Sequence, residues 1–218
     1  ELAQSLSCDL VVGIVGQSSD CADAIAACGA AKFLAVTGPD FADSRYASDV
    51  AATEALVKAA QATVVVAPAT SRLSRCLPGA AQRLGGRVDT QLTGLNAEGG
   101  KVNAVRWFYR QRMTGAITRE QRPWILTVSS GCFAAFAGDA GSANSESIAC
   151  DLPDSAKRTT VTGVQAPSAD AQTIRPEADL LFVAGAGWTK KQADGAAHTD
   201  EAETLILDFV NKATASLG

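Results

Sequence analysis

The chain has 218 residues, 47% of them hydrophobic, which is enough for one large domain or for one domain and part of another. Its formal net charge of −4, with both signs spread along the sequence, argues against nucleic acid and against an anionic membrane surface as partners. No apolar run approaches the roughly 20 residues that a membrane-spanning helix needs, so we expect no direct membrane insertion.

The first 84 residues alternate short apolar runs with helical segments. The patterns predict helices over residues 1–7, 20–28 and 43–60, and strands over residues 10–15, 32–36 and 63–67. Such alternation at short intervals is typical of a parallel α/β sheet. The opening letters ELAQSLS resemble the end of a helix, and we expect a further strand to precede them.

Residues 62–95 form the clearest strand–helix–strand pattern. The run TVVVA predicts a strand covered on both faces, PATS breaks it, and Gly85-Gly86 ends the following helix. A hydroxyl of Thr70 or Ser71 is placed to cap that helix. The alternative is that the same pair binds a ligand at the carboxyl end of the strand, as open α/β sheets do. The segment GIVGQSS at residues 13–19 lacks dinucleotide-fingerprint spacing and predicts a plain strand–helix turn.

After residue 95 the pattern changes to hairpins. The letters NAEGG predict a hairpin turn, and strands are expected over residues 101–109, 114–118, 124–128 and 158–165, with a loop over 129–149. The strand before the second hairpin ends in RWFYRQR, where Arg106, Arg110 and Arg112 accompany three aromatic residues. This run indicates either an anion site, a contact with a partner protein, or a half-exposed strand whose charges lie in water.

The last 45 residues look like the beginning of a second unit. A linker over residues 174–178 precedes a buried strand over 180–184, then Gly185-Ala186-Gly187, and a helix over 200–215. Two glycines close together let a phosphate approach the backbone, although the third glycine of a fingerprint is missing. One strand and one helix cannot bury their own apolar faces, so we expect more structure around them.

The cysteines and the histidine indicate no metal site. Six cysteines are spaced without a CxxC pair and are expected to be buried, reduced thiols; they are Cys8, Cys21, Cys28, Cys76, Cys132 and Cys150. The one histidine, His198, lies in a polar segment typical of a solvated surface. No paired carboxylates, serine elbow or phosphate loop marks a catalytic site.

The order of segments resembles the α subunit of electron-transfer flavoproteins. The resemblance rests on VVVAPATS, a helix containing Leu77-Pro78, and AQRLGG followed by a VDTQLT strand. An Arg-x-x-Tyr-x-Gly type segment is echoed by Arg106, Tyr109 and Gly115, and a Pro-x-x-x-Thr-Val segment by PWILTVSSGCF. The letters ADLLFVAG at residues 178–185 resemble the opening strand of the family's FAD domain.

The resemblance implies an adenine-nucleotide-alpha-hydrolase-like α/β domain over residues 1–175 that pairs with a β subunit. It implies that residues 178–218 begin a Rossmann-like FAD domain whose later segments lie beyond Gly218. Gly185, Gly187 and Lys190 would then face the cofactor. Three family arginines are replaced, by Gly79, Ser129 and Gly187, and Lys190 or Lys191 would have to supply the missing cation near the phosphates.

The resemblance further implies an electron carrier rather than an enzyme with its own substrate. FAD would pass electrons from a flavin-dependent dehydrogenase to a downstream acceptor, and AMP is possible in the partner subunit. The expected location is bacterial cytoplasm or an organelle matrix. Two alternatives stay open: a scaffold subunit that has lost FAD, and a small α/β domain that binds ATP or AMP with Thr70 and Ser71 at the phosphates.

Overall fold

The computed structural model describes residues 1–16, 19–165 and 178–218. The chain divides into two compact units, Glu1–Thr162 and Gly163–Gly218. The predicted linker at residues 174–177, the domain boundary at residue 175 and part of the turn after Val15 lie outside the described residues.

The first unit begins with a small parallel sheet. Strands β1 (Val11–Val15) and β2 (Lys32–Val36) pair in parallel, and β8 (Ser145–Ser147) adds in parallel to β2. The short helices α1 (Leu2–Ser5), α2 (Ser19–Asp23) and α3 (Pro39–Ala42) precede the long helix α4 (Tyr46–Ala60). Strand β8 falls in the stretch predicted as loop, because three polar residues without alternation give no strand pattern.

A second sheet of five strands has the order β3-β7-β4-β5-β6. Its strands are β3 (Val64–Pro68), β4 (Arg87–Glu98), β5 (Lys101–Phe108), β6 (Met113–Ile117) and β7 (Trp124–Val128), and helix α5 (Ser71–Arg83) joins β3 to β4. β7 lies between β3 and β4 and is parallel to both, whereas β4, β5 and β6 form antiparallel hairpins. The fold class is therefore α/β, with parallel sheets as predicted.

The core of the first unit lies on both faces of the five-stranded sheet. On one face α4 and α5 pack Val50, Cys76, Leu77 and Ala80 against Ile125. On the other face Leu92, Val102, Ala104, Trp124 and Leu126 form a second cluster. Strand β7 contributes to both faces, which explains its uninterrupted apolar run WILTV.

One feature of the predicted strand–helix–strand unit is wrong. Among the described strands, β3 is an edge strand and pairs only with β7, so its Val66 side chain is 47% exposed rather than covered on both faces. Strand β7, which begins 26 positions after the end of β4, lies between β3 and β4. Sequence periodicity carries no information about such long-range insertions.

Other predicted elements differ in length. The helix expected over residues 20–28 ends at Asp23, whose carbonyl accepts from Gly141 N–H at 2.9 Å and whose carboxylate accepts from Ala143 N–H at 2.8 Å. Turns with i→i−3 bonds continue from there to Cys28. Residues 158–165 form no strand; the preceding one-turn helix Asp154–Lys157 ends at Arg158 and extended chain follows.

The second unit contains one α-helix, the one-turn helix Ala186–Thr189 and two very short strands among residues 178–218. β9 (Leu181–Phe182) pairs in parallel with β10 (Ser216–Leu217), and α6 (Thr199–Lys212) packs Ile206 and Val210 against Phe182. The buried strand expected over residues 180–184 is thus only two residues long. Its Leu181 and Val183 are 49% and 66% exposed, because β9 has a partner strand on one side only.

Candidate functional site

The carboxyl ends of β3 and β7 lie beside the bulge of β4 between Asp89 and Leu92. Ala69 N–H donates to Val128 O at 2.8 Å, and Ser129 N–H donates to Leu92 O at 2.9 Å. These two bonds fix the backbone just beyond β3 and β7 against each other and against β4. The edge matches the general rule that open α/β sheets bind ligands beyond the carboxyl ends of their strands.

A cavity of about 620 Å³ opens at this edge. It is bordered by the chain after β3 and β7, by a bulge of β4, and by the end and turn of the β5–β6 hairpin; the lining residues are Ala69, Gln91, Arg106, Trp107, Phe108, Tyr109, Arg110, Gln111, Ser129 and Ser130. The lining contains two arginines, two serines and two glutamines, but no carboxylate. The volume falls in the range of small-molecule sites.

Arg106 is one of the two charged residues that line the cavity. It follows Val102 and Ala104 on the buried face of β5, where strand alternation would place another apolar side chain. Its Nε atom is buried and has no hydrogen-bond partner, and its guanidinium carbon lies 5.0 Å from the centre of the Phe108 ring. Among the residues described, no carboxylate forms an ion pair with Arg106.

The turn beside Arg106 has an unusual backbone. Tyr109, Arg110 and Gln111 all adopt left-handed conformations, with φ of 49°, 56° and 65°. Non-glycine residues rarely enter this region, and three in succession cost free energy that other contacts must offset. Gln91 in the bulge of β4 is also left-handed, at φ 56°, and its N–H donates to the buried Thr127 hydroxyl at 3.1 Å.

Asp89, the nearest buried carboxylate on β4, is already engaged by other donors. It accepts two hydrogen bonds from the Arg119 guanidinium and one from Trp124 Nε1 at 2.8 Å. Burial acts to raise the pKa of Asp89, but the hydrogen bonds from Arg119 and Trp124 outweigh it and hold the pKa below its ordinary value. Asp89 therefore holds the sheet together rather than neutralising Arg106.

The structure separates the residues that the sequence proposed for ligand binding. Arg106 and Arg110 line the cavity, whereas Arg112 does not. Thr70 caps α5, its hydroxyl accepting from Leu73 N–H at 3.3 Å, and neither Thr70 nor Ser71 lines the cavity. The prediction of a helix cap is confirmed for Thr70.

Gly185, Gly187 and Lys190 lie together around the one-turn helix Ala186–Thr189 of the second unit. Gly185 has an ordinary φ of −83°, and a Cβ added to either glycine would meet no atom within 4 Å. The backbone there is open to a ligand, although no local contact requires glycine. Their assignment to a cofactor stays a prediction.

The cysteines and the histidine follow the expectations in part. Cys76 is buried, and burial raises the pKa of its thiol, but Cys8 and Cys21 are exposed, so the expectation of six buried thiols is wrong. All six are free. His198 is partly exposed, and its Nε2 lies 2.5 Å from the Asp194 carboxylate. Groups of three or more potential metal ligands are absent from the described part of the chain.

The family of the chain is shown by comparison with known proteins. The model of the electron transfer flavoprotein domain matches residues 1–169, more than half of the 218 residues. The chain belongs to the electron transfer flavoprotein family, and its role is in flavin-based electron transport. No curated protein sequence matches it. Within the described ranges, no helix is long and apolar enough to cross a bilayer.

The sequence did not indicate Ala69, Gln91 or Ser130 as site residues. They are small or neutral and come from the ends of β3 and β7 and from the bulge of β4, which only the sheet order brings together. A signal was present for Ser129, which stands where the family resemblance predicts arginine. The polar pair Ser129-Ser130 after the fully buried run WILTV marks a strand end, the usual place for ligand contacts.

Proposed function

We propose that this protein is the α subunit of an electron-transfer flavoprotein, which pairs with a β subunit and takes electrons from a flavin-dependent dehydrogenase to a downstream acceptor. The observation on which this rests is the match of the electron transfer flavoprotein domain to residues 1–169. The α-type assignment is supported by the order of segments over residues 62–133 and by the ADLLFVAG strand that follows.

FAD would supply the redox chemistry, because it accepts and returns electrons in one- or two-electron steps. The part assigned to this chain is binding and electrostatics. Lys190 is exposed and forms no ion pair with other described residues, so its ammonium is available to a phosphate. The open backbone at Gly185 and Gly187 lets a phosphate oxygen approach without a steric conflict.

The surface of the second unit supports a protein partner. Seven large apolar side chains between residues 180 and 209 are at least 38% exposed; they are Leu180, Leu181, Val183, Trp188, Leu205, Leu207 and Phe209. Apolar surface concentrated in so short a stretch is typical of an interaction site. We assign it to protein contacts within the flavoprotein complex.

A second candidate is a scaffold subunit without FAD, and one observation favours it. The cations that the resemblance predicts are replaced by Gly79, Ser129 and Gly187. At Gly79 an arginine would not fit without rearrangement, since even a Cβ would overlap the Tyr46 hydroxyl. With fewer positive charges to bind the FAD phosphates, the subunits would assemble without the flavin.

The experiment is to co-express the chain with the subunit that accompanies it and to measure the FAD released from the purified complex. The α-subunit proposal predicts one FAD per complex, with Lys190→Gln losing FAD more readily than Lys157→Gln. Lys157 is a matched control because it is an exposed lysine of the first unit that pairs with Asp40 at 3.2 Å. A stoichiometric complex without flavin would overturn the proposal in favour of the scaffold, and tight ATP binding by a colourless chain would support a nucleotide-binding domain.

A further inference from the structure

The cavity beside Arg106 is a built site that the electron-transfer role does not explain. One side-chain atom of its lining, Arg106 Nε, is buried and has no hydrogen-bond partner among the described residues. An unpaired buried donor costs free energy, and the cost is higher for a charged group. Val102 and Ala104 are buried on the same face of β5, so alternation places the side chain of residue 106 on that face too. If residue 106 served only to pack the sheet, an apolar side chain would be expected there.

No carboxylate of the described residues forms an ion pair with Arg106. Asp89 lies close enough for Arg106 to help lower its pKa, but its oxygens already accept from Arg119 and Trp124. The other cationic residue of the cavity, Arg110, likewise has no ion pair within residues 1–16, 19–165 and 178–218. The lining contains hydroxyls at Ser129 and Ser130 but no carboxylate.

The backbone holds this lining in place at an energetic cost. The left-handed residues Tyr109, Arg110 and Gln111 reverse the chain after β5, and left-handed Gln91 lies in the bulge of β4, next to the residue that pairs with Arg106. Conformations of this kind concentrate at ligand sites, where the arrangement that they hold serves binding. The observation of four such residues around one cavity is independent of the unpaired guanidinium.

We propose that the cavity binds an oxoanion, a phosphate or a carboxylate of a small molecule, with Arg106 as its principal partner. The planar guanidinium offers parallel N–H donors that match either group. Ser129 and Ser130 supply hydroxyl donors, and Gln91 supplies an amide. Phe108 holds the guanidinium from its other side through the cation–π contact at 5.0 Å.

The proposal does not rest on the assignment of FAD to the second unit. Every residue that it uses lies within the first unit, Glu1–Thr162. A complex without flavin would contradict the proposed function but not the anion site. A failure to bind anions would contradict the anion site but not the binding of flavin.

The test is isothermal titration of the full chain with four probes at constant ionic strength: inorganic phosphate, pyrophosphate, acetate and citrate. Saturable binding of at least one probe at one site per chain is expected, and the phosphate and carboxylate arms show which source the site prefers. Arg106→Gln should weaken that binding by roughly tenfold to a hundredfold, in line with the loss of a charge-assisted, bidentate contact. Arg106→Lys should recover only part of it, because an ammonium has no planar fork.

The matched control is Arg112→Gln, which removes the same charge from the same hairpin but from a residue outside the cavity. Its affinity should stay within about twofold of the unmodified chain, since an exposed charge acts weakly through screened solvent. Circular dichroism establishes that each variant is folded. Absence of saturable binding for all four probes overturns the proposal, as does an equal loss of affinity in Arg112→Gln and Arg106→Gln.

Discussion

Replacement of Asp89 by alanine is the perturbation that most directly probes how the five-stranded sheet is held together. Trp124 is fully buried in β7, and its Nε1–H donates to Asp89 on β4. Loss of this acceptor leaves a buried donor unpaired, which costs about 1–3 kcal/mol. Arg119 would also lose both of its hydrogen bonds to Asp89. Because its side chain is 38% exposed, water would replace most of these hydrogen bonds, and their loss adds only about 0.5–1 kcal/mol to the cost.

We therefore expect Asp89→Ala to lower the free energy of unfolding by about 1.5–4 kcal/mol. The assay is urea unfolding at pH 7, followed by tryptophan fluorescence. Glu98→Ala is the matched control, because Glu98 lies on the same strand, is exposed, and has no ion pair among the described residues. A loss for Asp89→Ala no larger than that for Glu98→Ala would refute the argument that this carboxylate links β4 to β7.

The same carboxylate gives a dependence on pH with a definite sign. The pKa of Asp89 is lower in the folded chain than its ordinary value, so the folded state binds the proton more weakly than the unfolded state. Its contribution is complete above the unfolded pKa of about 3.9 and is lost as the pH falls through the folded pKa. We expect the difference in stability between the unmodified chain and Asp89→Asn to stay constant above about pH 5 and to shrink as the pH falls from about 5 towards about 2. A difference that stays constant over that range would contradict the assignment.

Two further substitutions test other parts of the packing. Gly86→Ala should destabilise the first unit by about 1–3 kcal/mol, because the new Cβ would overlap the backbone carbonyl oxygen of Pro123. Gly85→Asn is its control and should cost less than about 1 kcal/mol, since that site has open space and the left-handed backbone that asparagine tolerates. Arg72→Met should cost about 2–4 kcal/mol in the same urea assay, because it leaves the carboxylate of Asp49, 2% exposed, without the partner 2.6 Å away. If Arg72→Met costs no more than the exposed substitution Glu98→Ala, the ion pair between Arg72 and Asp49 does not stabilise the fold.

The elements that the sequence predicts well are those whose signal is local. Strands β2 and β7 are found with their predicted bounds, because each is a short apolar run closed by polar or turn residues. The hairpin between β4 and β5 is confirmed as well, with Glu98 opposite Lys101 and the two-residue loop Gly99-Gly100 between them. Two consecutive glycines at positive φ are what such a loop requires.

What the sequence could not supply depends on contacts between distant segments. The insertion of β7 between β3 and β4 makes β3 an edge strand, and no periodicity within β3 encodes that. The helix at residues 19–23 stops where residues 141–143, more than a hundred positions away, take the hydrogen-bonding groups of Asp23. For the same reason the basic run at residues 106–112 indicated an anion site or a partner contact without distinguishing Arg106 from Arg112.

The central claim is that this chain carries electrons through a bound flavin. The most direct measurement is the visible spectrum of the purified complex with its companion subunit, before and after anaerobic reduction. We expect oxidised-flavin bands at roughly 380 and 450 nm, as properties of the cofactor, which bleach on reduction and return when an acceptor is added. A colourless complex of correct stoichiometry, with no absorbance in that region in either state, would contradict it.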